Sequence, residues 1–419
     1  MDQSPLPTRA LWVTEEAPDH ALGGGSIRQA HLFRALGSAV PTDLLVVGSV
    51  RDTDVRAAAA RVIELPRRYA VRTEHPLGRR ALELGINLVS RYPLAIHPAG
   101  PSRRILARAI PSEYDLVCVE HESLAPLIPR RRGGRWMLTL HHLLSGIIEH
   151  ELAVAPGRRQ RWFRKRELRK ARLLEERALR TYDRCVVCSE EDAAALRRAV
   201  SERASDRIAV IPNGVDLSIL RPTPLPREPR VLLPGTLAWG PNVDGAIWFC
   251  NQIWPQVRAA IPDAALTLAG RSPLKEILDL QRIPGVSVHA DVASMVPYFE
   301  SARVVVVPLR IGTGTRIKAL EGMAAGRAVV GTSVGLEGIG VRHGEQALLA
   351  DDEQSFCAAV VEVLRSSELA QALAQRGRDH VECNFGWDRV GARFLAMTAR
   401  LLRGEENPQA PTRSASSAA

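Results

Sequence analysis

The stretch "VVVVPLRIGTGTRIKALEGMAAGRAVVGTS", Val304 to Ser333, carries the fold in miniature. Four consecutive valines read as a strand buried on both faces, closing at Pro308. A loop with Gly312 and Gly314 follows, a helix opens near Thr315, and Gly326 stops it before the next apolar run, "AVVGTS". Strand, glycine loop, helix, strand is the grammar of a parallel sheet covered by helices.

The same alternation runs outward in both directions. Upstream lie "ALWVT", "DLLVVG", "RVIEL", "DLVCVE", "WMLTLH", "RCVVCS" and "RIAVI"; then come "RVLLPG", "ALTLAG" and "VSVHA", and downstream "ALLAD". Amphipathic segments such as "IRQAHLFRALG" separate them. Such a chain is α/β and doubly wound. With 419 residues it divides into two domains of about 150–200 residues each. "RPTPLPREPR", Arg221 to Arg230, holds four prolines in ten residues and reads as a stiff linker. The expected layout is 1–220, the linker 221–230, a second domain 231–385, a terminal helix 386–403 and a disordered tail 404–419, whose sequence is poor in apolar residues.

The chemistry lies in the central stretch. Glycines at 312 and 314 let backbone N–H groups approach an anion, and the helix that follows offers unpaired donors and the positive end of its dipole. Arg316 and Lys318 stand on the first turn, where the dipole disfavours cations. A bound diphosphate would account for them. Glu321, three residues after Lys318, faces the same way and suits ribose hydroxyls. The same residues also fit a plain βα turn with solvated cations and a surface Lys318–Glu321 pair.

This stretch resembles the donor-site motif of retaining GT-B glycosyltransferases, the family 4 (group 1) enzymes. Their pattern is Glu, seven residues, Glu, then a helix of small residues; Glu321 and "EGMAAGRAVV" match its second half. Thr313 stands where the first glutamate would contact the donor sugar. The loop "GTLAWGPNVDG" puts Thr236 and Pro241 where family members carry an Arg and a Lys on the diphosphate. Arg316 and Lys318 are therefore expected to replace that pair as catalytic cations. "VIPNGVD", "PNVDGAIWF", "LAGRSP", "MVPYFESARVVVVPL", "GEQALLADD" and "FGWDRVGARFLAMTARLL" follow in family order, so the resemblance covers most of the chain. It implies two Rossmann-like domains facing a central cleft, and a terminal helix that crosses back to the first domain. It also implies a nucleotide-diphosphate sugar donor, a glycan or lipid-linked acceptor, and electrostatic rather than metal stabilisation of the leaving group. No cofactor and no metal are expected.

In the first half, Gly23 to Gly25 precede the first helix, and the resemblance assigns Gly24 and Gly25, with Thr313, Gly314, Thr315 and Glu321, to the donor. Arg28, on that helix, either reaches a phosphate or is solvated. His141 and His142 end the strand "WMLTLHH"; His141 matches a family histidine near the donor sugar, and His142 takes an Asn/Asp position. Glu120 closes "CVE" and suits the acceptor side.

A net charge of +10 and a pI of 9.8 ask for an anionic partner. "PGRRQRWFRKRELRKARLLEERALR", 156–180, concentrates eleven basic residues, with Trp162 and Phe163 among them. An anionic membrane surface or plain solvation explains such a helix; nucleic acid does not, since no recognised binding motif accompanies it. Cysteines 185 and 188 form a C-x-x-C inside an apolar strand with no second pair, against zinc or redox work. The start lacks the pattern of a signal peptide and no run suffices to span a bilayer, so a cytoplasmic protein, peripheral at the inner membrane face, is expected. An epimerase of the same fold, a degenerate nucleotide-sugar-binding scaffold and an oxidoreductase are the competing readings. "GGGSIR" is not a dinucleotide fingerprint, which disfavours the last.

Overall fold

The computed structural model describes residues 9–19, 24–66, 90, 92–93, 109–110, 113–126, 133–153, 155 and 157–409. These residues form two compact units. One runs to Ile211 and takes up the chain again from Gly391; the other is Pro212–Val390.

The first unit contains β1 (Ala10–Thr14), β2 (Thr42–Val47), β3 (Arg61–Leu65), β4 (Leu116–Glu120), β5 (Arg135–Thr139), β6 (Arg184–Val187) and β7 (Ile208–Val210). They make one parallel sheet in the order β3-β2-β1-β4-β5-β6-β7. The second unit contains β8 (Arg230–Pro234), β9 (Ala265–Gly270), β10 (Val286–Ala290), β11 (Val304–Val307), β12 (Ala328–Gly331) and β13 (Leu348–Leu349). Its order is β10-β9-β8-β11-β12-β13, again all parallel. Each apolar run quoted above is one of these strands.

The second sheet shows why its strands are unbroken apolar runs. Val231, Leu233, Val304, Val306, Ala328 and Val330 enter one core, while Leu232, Val305, Val307 and Val329 enter another. Alternate residues of a strand point to opposite faces, so two cores on one sheet demand apolar residues at every position. The strand order reverses between β1 and β4 in the first sheet and between β8 and β11 in the second. Ligands of such sheets bind outside the carboxyl ends at these reversals.

The proline-rich stretch is part of the second unit rather than a linker. Prolines leave carbonyls without the N–H partners of a sheet, and two buried arginines supply the donors. Arg327 Nη2 donates to Thr223 O and, at 2.6 Å, to Thr223 Oγ1; its Nη1 lies 3.3 Å from Pro224 O. Arg303 Nη1 reaches Pro226 O at 3.2 Å. The chain passes between units at Ile211/Pro212 instead.

The terminal helix, Trp387–Arg403, buries Phe394 edge-on to Trp12 of β1, with centroids 6.1 Å apart. The first part of the expected disordered tail is ordered. Asn407 Nδ2 donates to Ile208 O at 2.6 Å, and Gln409 Oε1 accepts from Val210 N at 2.7 Å, so two amide side chains satisfy the outer strand β7. Residues 410–419 of that tail, like Gly23, lie outside the described residues.

Candidate active site

In the second unit the reversal point is built from the ends of β8 and β11. The loop after β11 turns through Gly312 at φ 134° and Gly314 at φ 83°, left-handed values that glycine alone adopts cheaply. The helix is Ile317–Ala324, with Arg316 at its N-cap and Gly326 at φ 70° just beyond its end. Its start is thus two residues later than the sequence suggests.

Arg316 holds this loop. Its guanidinium, 5% exposed, donates to Thr313 O at 2.6 Å, Val334 O at 2.8 Å and Glu337 Oε2 at 3.0 Å. Arg316 was expected to serve as a catalytic cation; here a carboxylate pairs with its charge and two carbonyls fix the fork. Thr313 is buried, its carbonyl in that staple. Thr315, also buried, is tied to the segment entering the unit: its Oγ1 accepts from Asn213 N at 3.2 Å, and its carbonyl accepts from Asn213 Nδ2 at 3.3 Å.

Lys318 is placed differently. Its ammonium donates to Asn242 Oδ1, and Asn242 Nδ2 donates to Thr236 O at 2.8 Å. Asn242 thereby joins the β8 loop to the β11 helix. A side chain on Gly235, at φ 149°, would place its Cβ 2.9 Å from Lys318 Nζ, so the bare glycine is what admits the lysine. Burial pulls Lys318 down to about 7, the charge of Arg316 adds to this, and Glu321 opposes it. Burial likewise pushes Glu321 up to about 7, against Lys318 and Arg271. Among the described residues nothing donates a hydrogen bond to the Glu321 carboxylate. Asn242 and Asn213 were not foreseen; their partners lie 76 and 102 residues away in sequence.

In the first unit Gly24 and Gly25 open the helix Gly24–Ala39. Arg28 on that helix is fully buried, which removes its solvated reading. His141, beyond β5, places Nε2 2.8 Å from Oε2 of Glu120, the last residue of β4. Thr139 Oγ1 donates to Glu120 Oε1, also at 2.8 Å. Glu120 has no exposure and both of its oxygens are engaged. His121, at φ 92°, stacks on His141 with centroids 5.2 Å apart and planes 14° from parallel. His142 is half-buried beside it.

The basic helix is Arg158–Thr181. Glu167, Lys170, Ala171, Leu174, Glu175, Ala178 and Leu179 form its buried face. Arg158, Arg161, Lys165, Arg169 and Arg177 are exposed, as are Trp162 at 57% and Leu173 at 45%. Cys185 and Cys188 are buried thiols, pushed up to about 12 and about 11. Among the described residues no group of three or more potential ligands can hold a metal, and no helix is long and apolar enough to cross a membrane.

Residues 54–219 match the family described as Glycosyltransferase Family 4, and residues 228–366 match Glycosyl transferases group 1. The chain belongs to the family 4, group 1 glycosyltransferases. A 44.6 kDa protein of the cps region of Klebsiella pneumoniae is 28% identical over 170 residues, 38% of this chain. The match spans 44% of that relative, less than half its length. In fold the chain is similar to sucrose-phosphate synthase from Thermosynechococcus elongatus, with a TM-score of 0.71 at 20% identity over 95% of this chain and 100% of the other. It is also similar to Anabaena HepE in complex with UDP-glucose, with a TM-score of 0.62 at 15% identity over 93% and 99%. Both are GT-B relatives in fold, which matches the two Rossmann-like units.

Proposed function

We propose that this glycosyltransferase moves a sugar from a nucleoside-diphosphate sugar to a glycan or lipid-linked acceptor, with retention, in the assembly of a cell-surface or exported polysaccharide. The observation that carries the reading is the second unit's reversal point. A glycine loop, a helix N-terminus, Lys318 and an unclaimed Glu321 carboxylate converge there, as a diphosphate and a ribose require. HepE, of like fold, is described with UDP-glucose.

In this mechanism the loop N–H groups and Lys318 take up the charge of the departing diphosphate. A diphosphate beside Lys318 restores the proton that burial disfavours, so the ammonium is fully charged when it is needed. Arg316 acts through the loop it holds. The donor's own phosphate oxygen assists deprotonation of the acceptor on the same face, and no metal takes part. The exposed stripe Arg158–Arg177, with Trp162 and Leu173, rests on an anionic leaflet at the cytoplasmic face and brings a lipid-linked acceptor within reach. The test is an incubation with UDP-, GDP- and ADP-sugars and candidate lipid-linked acceptors, with the anomeric configuration of the product read by NMR. A product of inverted configuration overturns retention; turnover with none of the donors overturns the transferase reading.

A further inference from the structure

The glycine loop after β11 is pinned at its exit by Arg316. Gly312 and Gly314 precede that anchor at left-handed φ, and glycines have other backbone shapes within easy reach. The shape of the loop is therefore set by what holds its two ends. Its entrance packs on the helix Gly240–Trp248. A Cβ built on Gly245 would lie 2.5 Å from Pro308 O, so the bare glycine lets this helix seat against the end of β11. One residue earlier, Asp244 takes both arms of Arg310. Nε donates to Oδ2 at 2.9 Å and Nη2 to Oδ1 at 2.6 Å. The same guanidinium lies 5.4 Å from the centroid of the Trp248 ring, and the indole N–H donates to Glu353 Oε1 at 2.8 Å, which fixes the ring. Asn242, two residues before Asp244, accepts from Lys318. One helix thus grips the entrance of the loop and the cation beyond its exit.

Stability does not account for this arrangement. The side chains of Arg310 and Asp244 are 39% and 29% exposed, and ion pairs so placed add little. What the pair supplies is direction, because a planar guanidinium gripped at two oxygens and laid on a ring has one orientation.

We propose that Arg310 is a positioning residue: held by Asp244 and Trp248, it fixes the entrance of the loop 311–315 in the shape that receives the diphosphate. The proposal rests on the nucleotide-sugar reading above and adds to it a cation that acts on the loop rather than on the ligand. Only non-covalent contacts are involved.

Three substitutions separate this role from that of a charge acting directly on the ligand. Arg310→Ala removes the clamp. Arg310→Lys keeps the charge but loses both the two-armed grip and the stacked plane. Asp244→Asn removes a negative charge from beside the loop, which by electrostatics alone would tighten the binding of a diphosphate. The clamp demands the reverse.

The experiment has two readouts on the full chain. In calorimetry with UDP, GDP and ADP, whichever binds wild type binds all three variants at least about fivefold more weakly, because the competent loop is populated a fifth of the time or less. In the absence of nucleotide, hydrogen exchange in the loop 311–315 quickens at least about fivefold in each variant, while the urea midpoint moves by less than about 0.5 M. Arg342→Ala, which breaks an exposed pair with Glu345 in the same unit, stays within twofold of wild type in both readouts. Wild-type affinity in Arg310→Lys or Asp244→Asn, unchanged exchange in Arg310→Ala, or an equal loss in Arg342→Ala overturns the proposal. If none of the three nucleotides binds wild-type protein, the donor reading fails on its own, and the exchange rates alone decide whether Arg310 holds the loop.

Discussion

Arg316→Ala and Lys318→Met, adjacent on one turn, should fail in opposite ways. Arg316 donates to Thr313 O, Val334 O and Glu337 Oε2, the last an ion pair, and is 5% exposed. Its removal takes a charged donor away from a partly buried carboxylate and from the carbonyls of Thr313 and Val334. Breaking one side of a buried pair typically costs about 3–5 kcal/mol. For a unit of this size that lowers the melting temperature by roughly 6–20 °C. Lys318 donates to Asn242 and is held down to about 7 by burial. Methionine keeps its length and removes a poorly hydrated charge, so stability at neutral pH should hold or rise. Turnover should nonetheless fall by at least about tenfold, as expected when a donor to the leaving group is lost. The assay is urea denaturation followed by a probe in the second unit, alongside steady-state rates with a saturating donor. Arg316→Ala with wild-type stability, or Lys318→Met destabilised more than Arg316→Ala, would refute the division of labour.

Other outcomes follow from the same geometry. Glu321 is held at about 7 against an ordinary 4.5, so the folded state binds its proton more tightly and stability falls as pH rises from about 4.5 to about 7. In Glu321→Gln this fall should shrink, read as urea midpoints at pH 5 and pH 8; an undiminished fall contradicts the assignment. Lys318, held at about 7 against 10.5, makes stability rise between about pH 7 and 10.5, and Lys318→Met should flatten that rise in the same titration. Excess EDTA should leave turnover within twofold; abolition that Mg²⁺ rescues would show that a metal shares the charge. Replacing Arg161, Lys165 and Arg169 by Glu should abolish flotation with anionic liposomes at low salt without lowering the melting temperature, because all three are exposed.

The strands were legible because a sheet covered on both faces leaves no polar position to confuse the pattern, as Val304–Val307 shows. The glycine loop was legible because Gly312 and Gly314 meet a backbone demand that few other residues meet. What stayed hidden depends on partners far away in sequence. Prolines announce an irregular path but not what it packs against, so the stretch 221–230 gave no hint of Arg303 and Arg327. A tail poor in apolar residues gave no hint that Asn407 and Gln409 would satisfy the sheet edge through their amides. Arg316 is charged in the sequence, yet its charge meets Glu337, 21 residues on. Glu120 looked available until His141, also 21 residues on, folded against it.

The central claim is that the end of β11 and the helix beginning at Ile317 hold a nucleoside diphosphate. Calorimetric titration of UDP, GDP and ADP into wild-type protein and Glu321→Gln tests it most directly. The account predicts that at least one binds wild type, and that Glu321→Gln weakens it at least about tenfold at pH 8, where the carboxylate is ionised. Equal affinity for the two proteins, or no binding of any of the three to wild type, would contradict it.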